Sequence, residues 1–178
     1  MAVTNIDNPH GLRAVRTLSG GRPPMTKYTS YTTSVVYEGD VVQHVGSGKV
    51  RSLLTTSGTT SGNYIVGVAA NYAATNSDIW VYDDPDTIFQ VNSDGATDAG
   101  ESTEKLRRGL NAPLVIATGN TTTKVSKYEL DYSGATTDTK NPLKIIGFAT
   151  DANNAVGYAH AEYEVMLHRH FYKQLRVK

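Results

Sequence analysis

The chain of 178 residues contains no cysteine. That removes disulfide frameworks, thiolate nucleophiles, iron–sulfur clusters and cysteine-ligated zinc together. It has no net charge either, 17 Lys and Arg against 17 Asp and Glu, and charged residues make up only 19% of the whole. A dedicated nucleic-acid binder is usually basic, so global charge argues against that class, while neutrality favours association. No run approaches the roughly 18 apolar residues of a membrane span, and the opening "MAVTNIDNPHGLRAVRTL" lacks the apolar core of a signal peptide. A soluble chain without an export signal is expected.

Leu, Glu and Lys never fall at helical spacing over a useful length, whereas Thr, 11 Tyr and 16 Gly abound. Ten short apolar or alternating runs lie between turn-rich spacers: "KYTSYTTSVVY", "DVVQHV", "KVRSLL", "NYIVGVAA", "DIWVYD", "TIFQV", "PLVIAT", "KVSKYELDY", "LKIIGFAT" and "AEYEVMLHRHFY". The pattern predicts one all-β domain over residues 25–178, a sandwich or barrel. In "HVGSGKV", Gly46, Ser47 and Gly48 suit a tight hairpin. "TTSGTTSGN" reads as a longer loop, and "GESTEKLRRGL" as a short helix capped by Ser102 or Thr103 and ended by Gly109. "YIVGVAANYAATN" and "KIIGFATDANNAV" share two apolar residues followed by Gly, and Gly67 and Gly147 are expected to mark bulges or close backbone approaches.

Residues 1–24 differ from the rest. Pro and Gly punctuate them, and Arg13, Arg16 and Arg22 face only Asp7, so they read as an extended basic N-terminal arm.

Three clusters invite a chemical reading. "IWVYDDPDTIFQV" crowds Asp83, Asp84 and Asp86 around Pro85, but lacks the spacing of a calcium loop and suits a solvated turn between two strands. "NSDGATDAGE" offers Asp94, Asp98 and Glu101 on a surface loop, again without the calcium pattern. "HRH" puts His168 and His170 two apart, a spacing that can chelate zinc. Their strand would carry His160, Glu162, Glu164 and Met166 on the same face, spread too far to meet one ion, so a polar face at a surface or subunit contact is the stronger reading. Single-stranded nucleic acid could stack on Phe171 and Tyr172, though the neutral whole opposes it. No P-loop, nucleophile elbow or HExxH helix occurs, which leaves no catalytic site, no resident metal and no cofactor to expect.

The succession "NPHGLRAVRTLSGG", "VVYEGDVVQ", "YIVGVAANY" and "WVYDDPDTIFQV", over most of residues 5–91, resembles small head proteins of tailed bacteriophages, the capsid decoration or cement proteins. The resemblance implies a β-barrel or jelly-roll-like sandwich on the outer surface of the virion capsid, made in the host cytoplasm. It implies a homotrimer, or a dimer, with an arm lying across the major capsid protein. Leu12, Arg13, Val15, Arg16, Leu18 and Arg22 are then the capsid-contact candidates, and His168, His170, Phe171 and Lys173 the oligomer or shell contacts. No membrane partner and no direct nucleic-acid role follow. Two rival classes remain: a carbohydrate- or receptor-binding β-sandwich using Trp80 and Tyr82 as stacking platforms, and a zinc hydrolase on His168 and His170. Trp80 is expected in the core, and loss of residues 1–24 is expected to spare it.

Overall fold

The computed structural model describes residues 5–54, 64–95, 107–150, 154–155 and 158–174. The protein is all-β, with two five-stranded antiparallel sheets packed as a sandwich. The first sheet runs β1 (Arg13–Thr17), β7 (Thr87–Asn92), β12 (Glu162–Leu167), β11 (Leu143–Phe148), β8 (Asn111–Ala112). The second runs β2 (Thr26–Thr29), β6 (Asp78–Tyr82), β5 (Ile65–Ala69), β3 (Val41–Val45), β4 (Lys49–Ser52). A short pair, β9 (Leu114–Val115) with β10 (Glu129–Leu130), lies beside them, and a single helical turn, α1 (Phe171–Gln174), follows β12. The sheets do not close into a barrel.

Burial explains why the strands differ in pattern. β11 alternates buried and half-buried residues, because one face meets the core and the other is partly solvated. β5 is buried throughout, because both faces of the second sheet are covered. Between the sheets, Phe89, Val91, Leu143, Ile145, Tyr163 and Val165 meet Val41, Ile65 and Val68. On the far side of the second sheet, Val42, Val50, Val66, Ile79 and Val81 pack under Val36 and Ala73, which belong to connecting loops. A strand buried on both faces reads as an unbroken apolar run, as "YIVGVAA" does.

The β3–β4 hairpin forms through Gly46, Ser47 and Gly48 as expected, with Val45 opposite Lys49. Both glycines of the internal likeness sit beside a bulge. The register of β5 slips between Ile65 and Gly67 against β3, and that of β11 between Ile145 and Gly147 against β12. The bulged residues, Val66 and Ile146, are equivalent in the two sequences. The loop at 55–63, and residues 101–106 of the expected short helix, lie outside the described residues; Gly109, expected to end that helix, has φ +84°.

The first correction concerns the arm. From Arg13 to Thr17 it is a strand of the first sheet, paired with β7, and Leu12 before it is 3% exposed within the main core. Gly11 and Gly39, both at positive φ, press backbone to backbone, and the Leu12 amide donates to the Gly39 carbonyl at 2.9 Å. A Cβ on Gly11 would stand 2.5 Å from the Gly39 oxygen, so only glycine allows this approach. Upstream, Asn5 exchanges hydrogen bonds with Ala155 and donates a further one to the Ala159 carbonyl. Pro and Gly at the flanks had suggested an unpaired segment. The five residues between them instead bury Thr17, half-bury Ala14 and Arg16, and leave Arg13 and Val15 exposed.

Candidate functional site

The acidic turn is a corner of the sandwich. β6 pairs with β2 in one sheet and β7 with β1 in the other, so the 83–86 and 18–25 connections cross between sheets side by side. Each carboxylate there has structural partners. Asp83 accepts from Thr26 Oγ1 at 3.0 Å and from the Tyr28 hydroxyl at 2.9 Å. Asp84 Oδ1 accepts the Asp86 amide at 3.0 Å, and the Asp86 carbonyl accepts the Leu18 amide at 2.8 Å. Asp86 also lies 3.6 Å from Lys173 Nζ. The turn holds the corner together, which answers for the acidity without chemistry. Asp94 of the second acidic stretch accepts the Tyr132 amide through Oδ1, while Asp98 and Glu101 lie outside the described residues.

Beside this corner runs a surface of mixed character. Leu12 is core and unavailable, but Arg13 and Arg22 are exposed, Val15 is 44% exposed, Leu18 59% and Met25 40%. Arg16 is partly engaged, its Nη2 donating to Glu164 Oε2 at 2.8 Å. β1 is the outermost strand of its sheet, so one side of its backbone faces away from any neighbour in the sheet. Its register shift around Val15 twists that edge, a device that discourages indiscriminate strand addition.

The C-terminal candidates are placed differently from expectation. The strand ends at Leu167, and the chain turns so that His170 is fully buried while His168 is half-buried. His170 Nδ1 accepts the Tyr172 amide at 3.2 Å. The Phe171 ring stacks 5.8 Å from His44 and lies 5.8 Å from Tyr64. His170 is therefore not a contact for another subunit, and Phe171 and Lys173 already serve contacts within the chain. Glu162 and Glu164 do share the outer face of the first sheet, held by His10 and Arg16 respectively. Trp80 corrects another expectation: it is 47% exposed, with Ile79 and Val81 as the buried residues of β6.

Two buried ionisable groups oppose each other in pH dependence. Burial, with Lys173 adding, pushes the His170 imidazole down to about 4. Burial raises the Asp40 carboxyl above its ordinary value, against hydrogen bonds to Oδ2 from Ser52 Oγ at 2.6 Å and the Tyr37 amide at 3.0 Å. A depressed histidine contributes stability above its unfolded value, lost as pH falls from about 6.5 through 4, worth about 3 kcal/mol. A raised carboxyl works the other way: its contribution is fully present below about 3.9 and lost as pH rises through its elevated folded value. Urea unfolding between pH 7 and 4 should show a fall that flattens in His170→Gln and steepens in Asp40→Asn. Equal slopes in all three chains would contradict both assignments.

Asp40 also borders a cavity of about 320 Å³ lined by Val35, Tyr37, Leu53, Leu54, Ile116 and Tyr128. Asp40 is the one carboxylate of this lining, and Tyr37 and Tyr128 are its other titratable groups. At the far end of the first sheet, Asp7, Glu129 and His160 converge from three separate segments. The sequence places His160 in a strand register and Asp7 as the one acid of the N-terminal arm, and no local spacing links either of them to Glu129.

No family model, no curated protein and no solved structure matches this chain.

Proposed function

We propose that the protein is a non-enzymatic capsid decoration protein that clamps neighbouring major capsid subunits from outside the phage head. The observation that carries this reading is that Arg13, Val15, Leu18, Arg22 and Met25, all on one strip of chain formed by β1 and the 18–25 connection, are each exposed. Apolar side chains flanked by arginines on an edge strand suit a partner that offers an extended segment and acidic groups. The sequence likeness to phage decoration proteins points to the same partner. Arg13 and Val15 of the strip are held in the sheet by the pairing of β1 with β7, so binding forgoes part of the ordering cost that a disordered arm would incur. Several modest contacts per oligomer, a trimer or a dimer, gain strength through effective concentration.

The test is a pair of charge insertions on exposed positions. Val15→Asp with Leu18→Asp should leave thermal unfolding within a few degrees and weaken binding to heads lacking the protein by about 100-fold, as for loss of two apolar anchors. Undiminished binding would remove the strip from the contact.

A second reading rests on Trp80, whose half-exposed ring on β6 could stack on a sugar face. A glycan-array signal lost in a folded Trp80→Ala variant would support it.

A further inference from the structure

Asp7 lies in the segment before β1, Glu129 opens β10, and His160 stands two residues before β12. One ligand atom from each lies within 4.8 Å of the other two. His160 Nδ1 is 3.7 Å from Asp7 Oδ1, beyond hydrogen-bond reach. That nitrogen and Glu129 Oε1 are both withdrawn from solvent, and neither has a hydrogen-bond partner among the described residues. His10 adjoins the group with its side chain 8% exposed; its Nε2 meets Glu162 Oε1 at 2.9 Å, and its Nδ1 is likewise without a partner. Asn92 fixes the His160 backbone by donating from Nδ2 to its carbonyl at 2.8 Å.

Sequestered polar atoms left unpaired are costly, and native proteins keep few of them. Here they converge, and the charge balance has the sign that a cation would correct.

We propose that Asp7, Glu129 and His160 form a binding site for a zinc-class divalent cation, which ties the N-terminal segment to β10 and to the start of β12. One imidazole nitrogen with two carboxylate oxygens suits zinc better than calcium or magnesium, which take all-oxygen sets. Tetrahedral ligand atoms about 2.0–2.2 Å from zinc stand about 3.3–3.6 Å apart, close to the 3.7 Å between His160 Nδ1 and Asp7 Oδ1, so a modest adjustment of the side chains closes the set. Water completes the coordination. The site is independent of the capsid reading and carries no catalytic step.

The test uses the full chain, freed of metal and of any affinity tag, with Zn²⁺ alone in calorimetry and thermal unfolding, and Ca²⁺ and Mg²⁺ in parallel. One zinc per chain and a raised Tm are expected. Asp7→Asn, at a position 66% exposed, should weaken zinc binding about tenfold or more. His160→Asn keeps a residue that tolerates the left-handed backbone at φ +59° and should abolish the Tm rise. His168→Gln should bind as the parent does. Absence of heat and of a Tm rise would overturn the proposal. Zinc binding undiminished in Asp7→Asn and His160→Asn, or Ca²⁺ or Mg²⁺ stabilising as strongly as zinc, would overturn it equally.

Discussion

Deleting residues 1–24 should unfold the sandwich. The cut removes β1, exposes the edge of β7, and withdraws Leu12 from the main core. Burial of one leucine is worth about 2–3 kcal/mol, and each lost backbone hydrogen bond adds about 0.5–1.5 kcal/mol. The paired Arg13–Thr17 stretch, the Leu12 amide bond to Gly39 and the Leu18 amide bond to Asp86 all go at once. A loss of about 5 kcal/mol or more rivals the whole stability of many domains. Circular dichroism and thermal unfolding of the truncated chain should show no cooperative transition near that of the parent. A truncated protein that melts cooperatively within a few degrees of the parent would instead make the segment a detachable arm.

Gly67→Ala should cost about 3 kcal/mol or more, at the upper end of what overpacking does. A Cβ on Gly67 would stand 2.1 Å from the Tyr82 carbonyl oxygen and 2.8 Å from its carbonyl carbon. Those are backbone atoms of the neighbouring strand β6, and they cannot swing aside as a side chain would. Both faces of the second sheet are packed, so β5 has nowhere to shift. Gly147→Ala is the control. It occupies the matching place in the likeness "KIIG", yet the nearest atom its Cβ would meet is Arg108 Nη2 at 3.6 Å, an ordinary contact with a flexible group. A gain of a few tenths of a kcal/mol, from reduced freedom in the unfolded chain, is the more natural result there. Comparable urea midpoints for the two variants would show that the β5–β6 approach is not what holds Gly67.

Much of the sandwich was legible because its strands announce themselves by period. "DIWVYD" alternates, and the structure buries Ile79 and Val81 while leaving Trp80 exposed. Alternation alone could not say which parity faces the core. On β6 the larger aromatic residue lost to two aliphatic ones, because the outer face of this sheet has its own apolar layer under Val36 and Ala73. β1 was hidden by its flanks: Pro9, Gly11, Gly20 and Pro23 look like the punctuation of a free segment. They serve instead to bring the strand in against Gly39 and to turn it toward the second sheet. β8 has only two residues, Asn111 and Ala112, too few for any periodic signal. "HRH" misled in the opposite way, since alternation predicts that His168 and His170 share a face only while the strand continues. It stops at Leu167, and His170 turns inward. The acidic corner was readable from Pro85 and its neighbours, because a turn is local. The Asp7, Glu129 and His160 group was not, because its members meet only through the pairing of β7 with β12 and the docking of the N-terminal segment.

The corner strip and Asp7 of the proposed zinc-class site lie on the same N-terminal segment. That segment carries Asp7 toward β10 and then runs as β1 along the edge where Val15 and Leu18 stand exposed. Anchoring it by several independent contacts keeps the edge in one geometry, as the proposed docking strip requires.

The most direct measurement is co-sedimentation of the purified chain with phage heads that lack it, followed by heating the heads until DNA is released. Saturable binding in a simple ratio to the major capsid protein, with a higher rupture temperature, is the result expected of a clamp. Failure to sediment with the heads at any concentration, with the rupture temperature unchanged, would contradict it.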